Sequence, residues 1–263
     1  MIRVGVFGAG GRMGSTVCRA VVDDPDLELV GAVDPQHAGI DLRQLGVAGA
    51  GLNVAPNADA FVAAGAEVAV DFTVIDAARQ NLAWCAEHGV HAVVGTSGFE
   101  AEEVERLRTV FDGSRAHAVI VPNFAISAVL MMRFAELAAP YFDTVEIIEL
   151  HHDGKVDAPS GTALATAERL AAASPDWGPD PTTKTVLEGA RGGSGAAGIP
   201  IHSVRLRGLQ AHQEVLFGTT GQSLTIRQDS YDRTSYMPGV LRAIKSIRDK
   251  PGLTFGLDAL LGL

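Results

Sequence analysis

Cysteine is almost missing from this chain, which has two in 263 residues, Cys18 and Cys85. Both fall in stretches that read as helices, and neither has a neighbour at metal-binding or disulfide-framework spacing. They read as small buried apolar residues of a protein kept in a reducing compartment. Positive charge is also scarce, with 21 Lys and Arg against 31 Asp and Glu and a formal net charge of -10. A nucleic-acid surface needs clustered basic residues to neutralise phosphates, so this balance argues against one. An anionic ligand must therefore meet a local concentration of positive charge. The first apolar run, Val4 to Phe7, is far too short for a membrane span and follows no signal-peptide pattern. The expectation is a cytoplasmic protein with no membrane partner. No internal repeat or low-complexity tract is present. What the chain does have is 47% hydrophobic and 20% charged residues, a globular composition with enough length for one large domain or two ordinary ones.

Ile2 to Phe7 reads as a buried parallel strand that runs at once into Gly8-Ala9-Gly10-Gly11-Arg12-Met13-Gly14 and then a helix to about Asp23. Glycines at 8, 11 and 14 permit a tight turn, close approach of backbone N–H groups to a pyrophosphate, and tight helix–strand packing. A second strand, Leu27 to Val33, ends at Asp34, whose carboxylate suits a ribose diol; its plainer role is a turn residue before Pro35. Together these predict a nicotinamide dinucleotide. Asp34 would repel a phosphate on the adenosine ribose and position 35 is Pro, which favours NADH. Arg12 has two readings, a planar cation reaching that region so that NADPH is also accepted, or a solvated surface charge. Residues 38 to 66 read as a loose connection with a short helix near Ala58 to Ala64. A strand over Glu67 to Thr73, a helix over Ile75 to His88 and a strand over His91 to Val94 follow. In doubly wound sheets ligands lie outside the carboxyl ends of the strands, so Phe72-Thr73 and Gly95-Thr96-Ser97 are expected to line the nicotinamide side. A helix from Glu100 to Phe111 and a strand from Ala116 to Val121 lead to Pro122-Asn123-Phe124. His37, His88, His91 and His117 read as scattered surface or core residues.

The second half changes character. A helix over Ser127 to Tyr141 and a strand over Thr144 to Leu150 lead to His151-His152, then a helix from Ser160 to about Ala172. A Pro/Gly-rich passage from Ser174 to Pro200 has the composition of a mobile lid. Three strands follow, Ile201 to Arg207, Ala211 to Gly218 and Gln222 to Asp229, with turn signals that give an antiparallel pattern. Val204, Leu206, Val215, Phe217, Leu224 and Ile226 suggest packing between subunits. The last helix, Met237 to Arg248, is expected to return to the first domain. The fold class is thus α/β, a Rossmann-type doubly wound parallel sheet, plus an α+β second domain with a mixed, largely antiparallel sheet. The expected division is 1–125 with 235–263 for the dinucleotide and 126–234 for substrate and oligomerisation.

Glu149 to Ala163 gathers two imidazoles, an ammonium and a helix start. Ser160 and Gly161 open the helix and leave N–H groups suited to a carboxylate. Lys155 adds a positive charge and His152 a hydrogen bond, so a ligand with two carboxylates can be held at both ends. His151 remains for proton transfer, its ordinary pKa near 6.5 raised by a bound dianion. The paired histidines do not suit a metal, because adjacent strand residues point to opposite faces. Neither cysteine sits where a thiohemiacetal-forming dehydrogenase needs its nucleophile.

The strings ELHHDGKVDAPSGTA, GAGGRMG, GTSGF at 95 to 99 and VPNFAIS at 121 to 127 resemble the dihydrodipicolinate reductase family over nearly the whole chain. The central string is highly specific for it, the glycine loop alone is not. The resemblance implies reduction by NADH and/or NADPH of the cyclic product of dihydrodipicolinate synthase, on the route to diaminopimelate and lysine. Hydride would go to substrate C4, followed by protonation at C3. It implies His151 as proton donor with Lys155, and His152, Ser160, Gly161 and Thr162 on the substrate carboxylates. Gly8 to Gly14, Asp34, the Gly95-Thr96-Ser97 turn and Pro122-Asn123-Phe124 would surround the cofactor. Arg233 would lie near the substrate, or be a surface residue at a hinge. A homotetramer joined through the second-domain sheets and hinges near Ala125 and Thr234 are implied as well. The competing readings are another NAD(P)-dependent amino-acid-pathway dehydrogenase and a non-catalytic dinucleotide sensor.

Overall fold

The computed structural model describes residues 1–263. In chain order its elements are β1 (Ile2–Phe7), α1 (Arg12–Asp23), β2 (Leu27–Val33), α2 (Asp59–Ala63), β3 (Val68–Asp71), α3 (Ile75–His88), β4 (His91–Val94), α4 (Ala101–Asp112), β5 (Ala118–Ile120) and α5 (Ile126–Ala138). Then come β6 (Thr144–His151), α6 (Gly161–Ala173), β7 (Gly193–Ser194), β8 (Pro200–Arg205), β9 (Ala211–Thr219), β10 (Gln222–Ser230), α7 (Met237–Ser246), β11 (Leu253–Phe255) and α8 (Asp258–Leu261). The chain divides into two compact units, Met1–Phe124 with Tyr236–Leu263, and Ala125–Ser235.

The first unit is built on a six-stranded sheet of order β11-β5-β4-β3-β1-β2, parallel throughout. Its central strands are short and buried along their length: all of Val68–Asp71 and the last three residues of β4 are buried. Such runs without polar alternation are what a sheet covered on both faces requires. Phe61 on α2 joins Phe7 and Trp84 in edge-to-face contacts on one face. The chain reverses direction across the sheet between β1 and β3, since β2 lies on one side of β1 and β3 on the other. That crevice, outside the carboxyl ends of the strands, is where ligands bind in such sheets. Beyond Ser246 the expected helix tightens into the 3-10 turn Ile247–Asp249. The sequence reading missed β11, a three-residue strand added at the edge beside β5. No helix is long and apolar enough to cross a membrane.

The second unit has a five-stranded sheet of order β10-β9-β6-β8-β7. Only β9 and β10 form the expected hairpin. Instead of pairing with β9, β8 lies parallel to β6, which sits between them. The turn at Gly208 therefore carries the chain over the end of β6: the three strands alternate in direction as expected, but β8 and β9 are not neighbours. Period-2 alternation puts Val145, Ile147, Glu149 and His151 on one face of β6, opposite Phe217, Val215, Gln213 and Ala211 of β9. Val215 and Phe217 are fully buried inside this unit, which removes them from the set expected to pack between subunits. Leu224 and Ile226 face the same side across the hairpin, whereas Val204 lies opposite Leu150 on the other face. The 174–200 passage is fastened rather than free: Gly178 N–H donates to the Asp143 carbonyl at 2.7 Å, and Arg191 reaches Glu146 at 2.5 Å. His202 holds the other Glu146 oxygen at 2.7 Å, and β7 pairs with β8.

Candidate active site

In the first unit the turn after β1 is forced by sterics. Gly8 sits at φ 68°, and a Cβ on Gly14 would lie 1.9 Å from the Gly8 carbonyl oxygen, so no side chain fits where α1 meets the turn. Helix α1 begins with no side-chain cap and no acidic residue in its first turn, leaving its positive end open to an anion. Asp34, 8% exposed, accepts the Gly10 N–H at 3.1 Å on one oxygen and the Gln36 N–H at 3.0 Å on the other. It is thus both the turn residue and a carboxylate beside the glycine loop. His37, expected to stand alone, lies 3.0 Å from Asp34 without hydrogen-bond alignment. A Cβ on Gly10 would strike its ring at 2.3 Å. Arg12 is exposed at the start of α1 and Met13 half-buried beside it.

The remaining cofactor candidates are tied together by Asp71, which the sequence reading overlooked. This residue, 2% exposed, accepts from the Thr73 N–H at 2.7 Å, the Thr73 hydroxyl at 2.6 Å and Asn81 at 2.7 Å. The Thr96 hydroxyl lies 3.3 Å from it and 3.1 Å from the Thr73 carbonyl. Gly8 stands against Thr73 and the Phe72 carbonyl. Phe72 lies over Gly95 and meets Phe124 at a ring separation of 5.7 Å. Ser97 and Pro122 are exposed, Asn123 half-buried. The glycine loop, Thr73, Thr96 and the Phe72–Phe124 pair therefore form one continuous rim at the carboxyl ends of the strands. Its open helix end, side-chain-free turn and adjacent carboxylate fit a dinucleotide.

In the second unit the hub is Glu149, whose side chain has no exposure. His151 Nδ1 lies 2.5 Å from Glu149 Oε2. Arg205 donates to both oxygens at 2.8 and 2.9 Å, and the Ser160 N–H reaches Oε1 at 3.2 Å. Ser160 also caps α6, its hydroxyl accepting the Ala163 N–H at 3.2 Å. Gly161 faces open space, since a Cβ there would meet nothing within 4 Å, and Thr162 follows in the same first turn. Lys155, its side chain 20% exposed, donates to Asp157 at 2.7 and 2.8 Å. His152 starts the turn, its carbonyl accepting the Lys155 N–H at 3.2 Å. The Ala158–Pro159 peptide in this turn is cis. His151, Lys155, Ser160 and Gly161 thus meet at one end of the β6 face. Arg233 is half-buried in the 3-10 turn Arg233–Tyr236 and joins none of the hydrogen bonds around Glu149.

Electrostatics sharpen this cluster. Burial pushes the His151 pKa down and Glu149 pulls it up, but Lys155 and Arg205 add to the burial, and the net is below histidine's ordinary value. Burial pushes Glu149 up, yet hydrogen bonds from Arg205, Ser203 and His151 outweigh it and hold the carboxyl below its usual range. Glu149 is therefore ionised and His151 neutral near pH 7 until more negative charge arrives. Glu149 was legible in principle, two residues before His151 on the same strand face. Arg205 was not, because its place depends on the parallel β6–β8 register.

The other histidines read as solitary have local partners. His88 Nδ1 is 2.9 Å from the Trp84 carbonyl, and the His91 and His117 rings are 4.9 Å apart. The cysteines are fully buried, with burial first among causes that push the Cys18 thiol up to about 12.

Residues 2–124 match the family model described as "Dihydrodipicolinate reductase, N-terminus" and residues 127–261 the one described as "Dihydrodipicolinate reductase, C-terminus". A protein of Corynebacterium urealyticum named 4-hydroxy-tetrahydrodipicolinate reductase is 49% identical over 268 residues, covering 100% of both chains. One of the same name from Nocardia farcinica is 50% identical over 267 residues, covering 100% of this chain and 99% of that one. A dipicolinate-bound dihydrodipicolinate reductase from Paenisporosarcina sp. TG-14 superposes with a TM-score of 0.86 at 42% identity, covering 98% and 99% of the two chains. Amine dehydrogenase from Mycobacterium smegmatis, at 17% identity and a TM-score of 0.61, shares the fold. With its two halves matched in order by the two parts of one family, and relatives of similar length at about half identity, this chain belongs to the dihydrodipicolinate reductase family.

Proposed function

We propose that this protein reduces 4-hydroxy-tetrahydrodipicolinate to tetrahydrodipicolinate with NADH or NADPH, in the route to diaminopimelate and lysine. The observation that carries this reading is the cluster in the second unit. One half-buried imidazole set against an ionised carboxylate, one ammonium and the open start of α6 stand together at the end of β6, a constellation suited to a small dianion that must also receive a proton.

In this reading residues 1–125 and 235–263 hold the dinucleotide, through Gly8 to Gly14, Asp34, Phe72, Thr73, Gly95, Thr96, Ser97, Pro122, Asn123 and Phe124. Residues 126–234 bind the substrate and join copies of the chain into a homotetramer in the cytoplasm. Asp34 at the ribose, with Pro35 after it, supports NADH being used at least as well as NADPH; a strong NADPH preference in kcat/KM would refute that part.

When bound, the reduced nicotinamide would supply the hydride, which this reading places on C4 of the conjugated cyclic imine that the 4-hydroxy compound becomes on losing water across C3 and C4. Lys155, His152 and the Ser160-Gly161-Thr162 turn grip the two carboxylates and hold the ring in one orientation, with Arg233 as a further contact. The arriving dianion raises the affinity of His151 for a proton, and the imidazolium returns that proton to C3.

The test is steady-state kinetics of His151→Gln and Lys155→Ala with freshly generated substrate. His151→Gln should lower kcat by about 100-fold or more, and Lys155→Ala should act mainly by raising KM. Rates within about threefold of wild type for both variants, under ~1 kcal/mol of barrier, would overturn the assignment.

A further inference from the structure

An ionised carboxylate can only accept hydrogen bonds, so the nitrogen that faces it at 2.5 Å must carry a proton. His151 is thereby held with Nδ1–H toward Glu149 and Nε2 on the opposite side of the ring. Glu149 would by itself favour a permanent imidazolium, which would waste the ring as a substrate-triggered acid. Burial of the ring opposes this first, and Lys155 and Arg205 add to it. The Arg205 fork takes both Glu149 oxygens, and the same guanidinium donates to the Asp157 carbonyl at 2.5 Å and the Val204 carbonyl at 2.9 Å. The carboxylate's charge is thus balanced by a group that cannot give up its proton. A further donor, the Ser160 N–H, fastens the start of α6 to the same carboxylate. One buried group therefore fixes both the ring that moves a proton and the helix end that faces the substrate.

We propose that Glu149 and Arg205 are a positioning pair that sets the Nδ1–H tautomer of His151 and locks it to the first turn of α6, leaving Nε2 to take up a proton on substrate binding. The proposal rests on the reductase reading. In the step it serves, the Nε2–H bond of the imidazolium breaks and its electron pair stays on the ring. The electron pair of the enamine left by hydride addition forms the new C3–H bond. The ring returns to its neutral Nδ1–H form, still held by Glu149. The charged groups around the imidazole are Glu149 on β6, Arg205 on β8, and Lys155 with its partner Asp157 in the turn between β6 and α6. A second chain of bonds steadies the neighbouring residue. The His152 N–H meets the Gln210 carbonyl at 3.4 Å, and the Gln210 N–H donates to His212 Nε2 at 3.2 Å. His212 Nδ1 is in turn 2.6 Å from Asp229.

The experiment is long-range 1H–15N NMR of the full chain labelled with 15N-histidine, combined with kinetics of Glu149→Gln and of Glu149→Gln with Arg205→Met, which leaves no unpaired buried cation. Wild-type His151 should appear as the neutral Nδ1–H tautomer, and in the variants that population should fall. Their kcat should drop about 10- to 100-fold, with KM for substrate and NADH changed less than about threefold. An Nε2–H tautomer in the wild type needs no variant to read and would overturn the proposal. So would a folded variant with wild-type kcat, or a loss confined to KM. A wild-type chain with the expected tautomer that oxidises no NADH would instead overturn the reductase reading, and the proposal with it.

Discussion

His151 is held below its ordinary pKa first by burial and then by Lys155 and Arg205, against the pull of Glu149. A general acid must be protonated to act, so the sign of that shift has a kinetic signature. kcat/KM reports the free enzyme and should fall as pH rises through a value below 6.5. kcat reports the complex with the dianion bound, in which the imidazolium is favoured, and should fall only at higher pH. Coincident profiles would show that the substrate does not charge this ring. At this scale the sequence revealed the residues that stand in tight local strings, such as His151, Lys155 and Ser160. Glu149 lay within the same string but had no role assigned, although its spacing put it on the His151 face. Asp71 and Arg205 depended on which strands end side by side, and no local pattern carries that information.

Among elements, the turn between β1 and α1 tolerates no side chain at position 14, where a Cβ would overlap backbone. Gly14→Ala should destabilise the first unit by about 1–3 kcal/mol and weaken NADH binding at least tenfold by fluorescence titration, roughly 1.4 kcal/mol. Unchanged melting temperature and affinity would contradict the geometry. The 174–200 passage makes a contrasting case. Arg191 and Glu146 are more than a third exposed, so their ion pair contributes little to global stability. Arg191→Ala should speed amide exchange and proteolysis near Gly178 to Arg191 while leaving the global melting temperature almost unchanged; equal protection in both proteins would show that the fastening lies elsewhere. Helices with clear periodicity were legible from end to end, as α3 over Ile75–His88 was. The pairing of β8 was not, because turn signals at Gly208 announce a reversal without saying whether another strand lies between the two arms. β11 has three residues and owes its strand conformation to its neighbour β5.

For the molecule as a whole, the first unit contains a pair of neighbouring histidines at the amino ends of its strands. The His117 N–H donates to His91 Nδ1 at 2.9 Å, and the Gly252 N–H donates to His117 Nδ1 at 3.3 Å. Burial, then His117 and Arg248, lower the His91 pKa, against a smaller upward pull from Glu67. A histidine with a depressed folded-state pKa takes up its proton more readily when unfolded, so its contribution is complete above about pH 6.5 and is lost as pH falls through the folded value. The melting temperature should therefore decline on acidification in that window, and His91→Gln should flatten the decline. The alternation of strands and helices over the first half of the sequence announced a doubly wound sheet, and the change of order after Tyr141 announced a second, mixed one. The split of apolar residues between the two faces of that second sheet required the register, which is why Val215 and Phe217 were expected outside and lie inside.

The central claim is that the cluster around His151 and the start of α6 binds a cyclic dicarboxylate and serves its reduction. A single coupled assay addresses it most directly: NADH absorbance followed with dihydrodipicolinate synthase generating the substrate in place, with and without pyridine-2,6-dicarboxylate. The account predicts NADH oxidation that requires the synthase product and is inhibited competitively by the planar dicarboxylate. NADH that binds but is not oxidised, or turnover indifferent to that inhibitor, would contradict it.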